Sequence, residues 1–232
     1  MLRYNVPQGM RRGSIEHRLF LTLMCAINYQ RDINQLWKAG IKTYEDLGTN
    51  WLFFPNIVIK KDFKDIINAM KVYKLSKKTI KDAKIWYTIC SSLSKFYESD
   101  PLNVIKSADY DAIKLYRLKS DPKFKKRFPY LTGGKIYPYW IKLLYEEAKV
   151  NIKNIETIPL PVDVHVARAT IISGMIYGKF EGNLYLIKPL IQDFWKHVFK
   201  EKFHSNLFYP LQMDNPLWYL SRYGSVSYTH LT

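Results

Sequence analysis

Two consecutive glycines, Gly133 and Gly134, stand directly before a helical pattern and predict a tight turn at this point of the chain. Glycine adopts backbone angles that strain other residues, and it lets a backbone or a phosphate approach closely. The helix that follows would present free N–H groups and the positive end of its dipole at the turn. Lys135 falls in the first turn of this helix. These residues alone fit either a solvated lysine after a turn or a lysine beside a bound phosphate.

A second segment brings an aspartate to the start of another helix. Pro159 and Pro161 stiffen an extended approach to Asp163. Apolar residues then continue at helical spacing: Val164, Val166, Ala167, Ile171 and Ile172. Asp163 therefore occupies the position of an N-cap, and a capping role alone would account for it.

Both segments resemble motifs of the helix-hairpin-helix DNA glycosylase superfamily. The hairpin of that superfamily has the pattern L-x-G-x-G-x-K, and residues 131–135 read L-T-G-G-K, with two residues fewer between the leucine and the lysine. Its catalytic aspartate lies in a V-D-x-H-V segment, which residues 162–166 match as V-D-V-H-V. The I-P-L-P-V-D sequence at 158–163 and the long interval from lysine to aspartate resemble the archaeal 8-oxoguanine glycosylase branch. The resemblance covers about residues 14–176.

The resemblance implies an enzyme of DNA repair, an N-glycosylase and AP lyase. It would flip a damaged base, an oxidised purine such as 8-oxoguanine, out of duplex DNA and cleave its glycosidic bond. Lys135 would attack the C1′ atom as a neutral amine and form a Schiff base, while Asp163 would stabilise the developing positive charge and help to deprotonate the lysine. Two alternatives stay open: Asp163 could activate a water in a monofunctional glycosylase, and Lys142 could serve as the amine instead.

The hairpin is the predicted site of DNA binding. The amides of Gly133, Gly134 and Lys135 would hold a phosphate beside the lesion, because N–H groups at a helix start bind anions. Three further DNA-binding candidates lie beside them: Thr132, Lys126 and Arg127. The chain carries 36 Lys and Arg against 20 Asp and Glu, a net charge of +16, which favours a polyanionic partner such as nucleic acid.

Base recognition is assigned to residues in three helical segments. Residues 28–32 resemble the polar segment that closes the first helix of the glycosylases and faces the flipped base. Gln30 is the candidate for reading the base edge, because an amide offers both a donor and an acceptor. An exposed loop glutamine is an equally good interpretation. Trp140 and Trp86 are candidates for stacking on the base, although tryptophan at helical spacing more often belongs to a core.

The charge by itself also fits other basic proteins. A basic surface can lie on an anionic membrane or aid solubility, but the interleaved aromatic residues around the hairpin favour nucleic acid. A non-catalytic helix-hairpin-helix protein would need the two glycines but would have no use for Asp163. A basic helical protein associated with RNA would explain the charge alone. Neither alternative accounts for the hairpin and the V-D-x-H-V segment together.

Helical periodicity predominates along the chain, and strand alternation is weak except at residues 56–60. We therefore predict an all-α fold, a two-lobed helical bundle with a helix-hairpin-helix motif, in a single domain at residues 1–224. The last eight residues, 225–232, carry no charged side chain apart from His230 and resemble translated adapter sequence, so we treat them as a non-native tail.

No apolar run reaches the length of a membrane span, and the basic N-terminal residues lack a signal-peptide cleavage site. We expect a cytoplasmic, nucleoid-associated monomer whose partner is double-stranded DNA with a damaged base. Cys25 and Cys90 lie in apolar helical patterns and should be buried, with no metal bound. Many glycosylases of the superfamily carry a four-cysteine iron–sulfur loop near the C-terminus. This chain contains none and should need no cofactor, although such a loop could have been lost with the native C-terminus.

Overall fold

A computed structural model describes residues 5–29, 31–176, 184–202 and 208–224 of the chain. Within these ranges the regular structure is helical, and the extended pairing is one isolated bridge between Asp111 and Lys153. The predicted all-α class is therefore confirmed. The chain divides into two compact units, residues 1–153 and residues 154–232.

The first unit contains nine α-helices and one 3-10 turn in its described residues. They are α1 (Ile15–Ala26), α2 (Ile33–Glu45), the 3-10 turn Asn50–Phe53, α3 (Pro55–Val58), α4 (Phe63–Val72), α5 (Thr79–Phe96), α6 (Leu102–Lys106), α7 (Ala112–Leu118), α8 (Pro122–Arg127) and α9 (Ile136–Glu146). The alternation noted at residues 56–60 does not form a strand, because Pro55 at the first position starts α3 there.

Helix α1 forms the centre of the first unit. Ser14 caps it by accepting the His17 N–H at 3.2 Å, and every residue from His17 to Ala26 is buried. A helix that is buried along most of its length belongs inside a fold, and α1 packs on α2, α5 and α9. The Phe20 ring stacks on Phe53 at 5.2 Å between centroids. This packing supports α9, one of the helices packed on α1.

The second unit is built around α10 (Val164–Ile172), α11 (Leu184–Lys202) and α12 (Asp214–Tyr219). Short 3-10 turns lie at Ile155–Thr157 and Pro210–Met213, and a π-helical turn follows at Leu220–Gly224. Its core is a cluster of buried side chains: Leu160, Val162, Val166, Ala167, Ala169, Ile191, Trp195, Phe199 and Leu217. This cluster anchors the extended segment before α10 and so fixes where that helix begins. Across the part of the chain that the structure describes, no helix is long and apolar enough to cross a membrane.

Candidate functional site

The predicted hairpin lies between α8 and α9 in the first unit. The Tyr137 N–H donates to the Gly133 carbonyl at 2.9 Å, which winds the chain into α9, and Lys135 occupies the N-cap position. The Lys135 side chain is half-buried, while Gly133 and Gly134 are exposed. The sequence pattern placed Lys135 in the first turn, and the structure places it one residue before that turn.

The conformational role of the glycines differs from the prediction. Neither Gly133 nor Gly134 has a positive φ angle, whereas Tyr130 has a φ of 62°. Gly133 instead allows a close approach, since a Cβ atom there would lie 3.2 Å from the Tyr130 carbonyl oxygen. The Gly133 N–H donates to this carbonyl at 3.1 Å. The predicted phosphate contact from the Gly133 amide would therefore have to displace a hydrogen bond that the turn already makes.

The three side chains predicted beside the turn differ in exposure. Lys126 is exposed, and Thr132 is half-buried. Arg127 is half-buried, with its guanidinium 3.8 Å from the centre of the Phe96 ring. A cation on an aromatic face keeps its charge while its position becomes fixed. Lys126 is therefore the more mobile cation of the pair at the end of α8.

Asp163 caps α10 in the second unit, as the sequence pattern predicted. One of its carboxylate oxygens, Oδ1, accepts the N–H groups of His165 at 2.9 Å and Val166 at 3.0 Å. The side chain is half-buried. Two amide donors and the positive end of a helix dipole stabilise a negative charge at this position and fix the orientation of the carboxylate.

Trp218 is a residue of this region that the sequence pattern did not single out. Its ring lies 5.4 Å from the ring of His165, two residues beyond Asp163, and the guanidinium of Arg222 lies 5.0 Å from its centre. His165 Nδ1 also lies 3.2 Å from Ser221 Oγ. A half-buried indole beside the first turn of α10 can offer a face to a planar ligand. The short helix that carries Trp218 has too few residues to show a periodic pattern.

The proposed alternative amine, Lys142, is buried on α9. Its side chain is 1% exposed, and its Nζ atom lies 4.0 Å from Oε2 of Glu146. The half-buried Lys135 is the more accessible of the two lysines. Accessibility favours Lys135 as the residue that meets a substrate.

The structure describes two of the three residues predicted to recognise the base. Gln30 falls outside the described residues. Trp140 and Trp86 are completely buried, and their indole N–H groups donate to Thr22 Oγ1 at 2.9 Å and to the Leu52 carbonyl at 2.7 Å. Buried rings with satisfied N–H groups offer no face for stacking on a base. The structure therefore places both tryptophans in the core.

Tyr29 and Arg31, on either side of Gln30, make hydrogen bonds to α5 and to the loop before it. The Tyr29 hydroxyl donates to Oδ1 of the buried Asp82, and the Arg31 guanidinium donates to the Leu75 carbonyl at 2.6 Å. Burial, together with the hydrogen bond to Asp82, raises the pKa of Tyr29. The Tyr29 ring stacks on Tyr130 of the hairpin turn, with 4.9 Å between centroids. Tyr29 is thus held against the hairpin turn.

In the part of the chain that the structure describes, no three His, Cys, Asp or Glu side chains come together to form a metal site. Cys25 and Cys90 are buried thiols, and burial raises the pKa of each. Buried thiols with raised pKa values are unreactive.

Comparison with known families identifies one match. A family model described as AGOG, N-glycosylase/DNA lyase, matches residues 51–228. The matched range includes both the hairpin and Asp163. Among curated proteins, no match to the chain is found.

Proposed function

This chain belongs to the AGOG family of N-glycosylase/DNA lyases, and from that membership we propose that it excises an oxidised purine such as 8-oxoguanine from duplex DNA, with Lys135 as nucleophile and Asp163 as its assistant. Family membership confirms the prediction that the chain belongs to this superfamily and to its archaeal 8-oxoguanine glycosylase branch. It also confirms the prediction that the protein is an enzyme acting on DNA. The lesion and the roles of the two residues belong to the proposal. We also propose that the enzyme acts as a monomer on DNA of the nucleoid.

The position of Lys135 at the start of α9 is the observation that carries the proposal. The turn before it presents exposed backbone to a DNA strand, and the half-buried amine follows directly. A strand held at this turn therefore lies beside the nucleophile, and positioning of this kind lowers the barrier to attack.

The reaction proceeds in three steps. The Lys135 nitrogen forms a bond to C1′ while the bond from C1′ to the base breaks, and the base leaves with the electron pair and takes up a proton. The bond from C1′ to O4′ then breaks, O4′ takes up a proton from water, and the opened sugar is joined to Lys135 through a protonated Schiff base at C1′. Loss of a proton from C2′ expels the 3′ phosphate by β-elimination, which cleaves the strand.

Asp163 acts on the charge that develops in the first step. Its carboxylate is held by two amides of α10, so it needs no reorganisation as the sugar becomes positive. In the same step it accepts the proton that the attacking amine loses. Asp163→Asn keeps the N-cap hydrogen bonds but removes the charge, so we expect it to fold and to lose activity.

Borohydride trapping tests the assignment. Wild type, Lys135→Gln, Asp163→Asn and Lys142→Gln are incubated with duplexes that carry 8-oxoguanine, uracil, an oxidised pyrimidine or an abasic site. We expect an adduct on the 8-oxoguanine duplex from wild type and none from Lys135→Gln. The matched control is Lys149→Gln, an exposed lysine three residues after α9, which should leave trapping unchanged.

The remaining outcomes separate the alternatives. An adduct that vanishes with Lys142→Gln and persists with Lys135→Gln would move the nucleophile to α9. Release of the base with no adduct would establish a monofunctional enzyme in which Asp163 activates water. Release from another duplex, with 8-oxoguanine untouched, would overturn the proposed lesion.

A further inference from the structure

A basic depression lies beside the hairpin turn in the first unit. It has a volume of about 520 Å³ and is lined by Ile80, Lys81, Lys84, Ile85, Thr88, Lys126, Pro129 and Tyr130. The first five of these residues lie along one face of α5, and the others belong to α8 and the turn after it. Three cations and no acidic side chain line this part of the described structure. We call this feature the α5 depression.

The α5 depression combines a cationic rim with an apolar floor. Lys81, Lys84 and Lys126 are exposed, so their ammonium groups can reach a ligand without desolvating a buried charge. Ile85 is buried and Pro129 is half-buried, and they supply apolar surface between the lysines. Lysines bind phosphates as point charges, and apolar surface suits the carbon face of a sugar.

Tyr130 is the residue that joins the α5 depression to the hairpin. Its ring is 41% exposed, and the Lys81 ammonium lies 4.5 Å from the ring centre. The positive φ angle of 62° is rare for a bulky residue, and such angles persist at functional sites when surrounding contacts hold them. Here the contacts are the stacked Tyr29 ring and Lys81.

The fourth residue beyond Tyr130 is Gly134, whose exposed backbone belongs to the turn that precedes Lys135. A strand that meets this turn would therefore continue over Tyr130 and into the α5 depression. Asp82, the acidic residue nearest to Lys81 in sequence, is buried and accepts hydrogen bonds from Ser76 Oγ and from the Lys78 amide. Its charge is directed into the protein and away from a phosphate.

We propose that the α5 depression is a second DNA-binding site, in which Lys81 and Lys84 bind backbone phosphates of the duplex flanking the lesion while the Tyr130 ring packs on the adjoining sugar. The inference rests on the proposed function, because it assumes that the hairpin meets DNA. It adds the position of the flanking duplex and the residues that hold it.

The test measures the affinity for a duplex that carries an uncleavable abasic-site analogue, by fluorescence anisotropy at several salt concentrations. Each phosphate contact contributes about 0.9 to the slope of log K against log salt. The double variant Lys81→Gln with Lys84→Gln should therefore make this negative slope shallower by roughly 1.8. It should also weaken binding on the order of 10-fold at 0.1 M salt. The matched control is Lys38→Gln with Lys42→Gln, two exposed lysines of α2 with the same change in charge.

Variants of Tyr130 test the ring separately from the charge. Tyr130→Phe keeps the ring and should bind like wild type, whereas Tyr130→Gly removes the ring, relieves the backbone angle and should weaken binding several-fold. A folded Tyr130→Gly with wild-type affinity would overturn the role of the ring.

A further arm uses duplexes of two lengths. A duplex that ends next to the lesion should show little difference between wild type and the Lys81 and Lys84 variant, and a duplex that extends beyond the lesion on both sides should show the full loss. An affinity loss equal to that of the α2 control, or equal on both duplexes, would overturn the proposed site. Failure of the proposed function can be distinguished from failure of the proposed DNA-binding site. In the first case the wild type would release no base, but its DNA affinity and salt slope could still be measured.

Discussion

Replacement of Arg18 by methionine would remove one half of a buried ion pair in the first unit. The Arg18 guanidinium donates to both carboxylate oxygens of Asp100, at 2.8 and 2.5 Å, and the two side chains are 10% and 12% exposed. Arg18 also donates to the Gly13 carbonyl at 2.5 Å. The variant would leave Asp100 buried without its cation.

The expected loss follows from this geometry. Removal of one partner of a buried pair costs about 3–5 kcal/mol, because the remaining charge loses its compensation. Asp100 keeps the hydrogen bond from the Leu102 N–H at 2.8 Å, and methionine retains much of the arginine stem. Both effects place the loss of unfolding free energy for Arg18→Met near the lower limit, at about 3 kcal/mol.

Urea unfolding at pH 7.5, followed by tryptophan fluorescence, measures the loss. The control is Lys114→Met, which breaks the pair with Asp109 at the surface, where the side chains are 58% and 72% exposed, and should leave the midpoint unchanged. The double variant Arg18→Met with Asp100→Leu removes the orphaned charge and should recover about 1 kcal/mol or more. A midpoint for Arg18→Met equal to that of the surface control would refute the reasoning.

Three further outcomes concern the same unit. Burial and neighbouring arginines lower the pKa of His17 to about 4, from roughly 6.5 in the unfolded chain. The stability contribution of the neutral ring is therefore complete above pH 6.5 and falls by about 3 kcal/mol as the pH drops to 4. Urea unfolding at pH 7.5 and 4.5 should accordingly show a smaller change in unfolding free energy for His17→Gln than for wild type. Gly13→Ala should destabilise more than Gly9→Ala in thermal unfolding, because both have positive φ angles but a Cβ at residue 13 would lie 3.1 Å from the Ala148 carbonyl oxygen. Trp86→Phe should lower the unfolding free energy by about 1–3 kcal/mol, since it leaves a buried carbonyl without its donor.

Helix starts were predictable where a side chain caps the helix locally. Ser14 accepts an N–H three residues later, and Asp163 accepts N–H groups two and three residues later. Such contacts depend on a few adjacent residues, so the sequence is sufficient to find them. Helical spacing also predicts a helix at residues 184–203, and the structure describes one at Leu184–Lys202.

The start of α5 was not predictable in the same way. The pattern predicts a helix that begins at Val72, but the structure ends α4 at that residue and begins α5 at Thr79. Lys74 has a φ angle of 55°, which interrupts the helix, and the Asp82 carboxylate accepts the amide of Lys78 from inside α5. Asp82 is held in turn by the Tyr29 hydroxyl, a contact between residues far apart in the sequence. Periodicity carries no information about such a contact.

The distribution of strain in the hairpin follows from a similar long-range contact. A Gly-Gly pair predicts that the glycines carry the unusual backbone angle, yet Tyr130 carries it. The stacked ring of Tyr29, about a hundred residues earlier in the sequence, holds Tyr130 in place, and Gly133 is needed because the Tyr130 carbonyl turns towards it. The motif therefore predicts the turn, whereas the aromatic side chain beside it decides which surface the turn exposes. Residue type alone pointed to Trp86 and Trp140, which lie in the core. Tyr130, which no motif includes, lies exposed beside the hairpin turn because of its long-range contact with Tyr29.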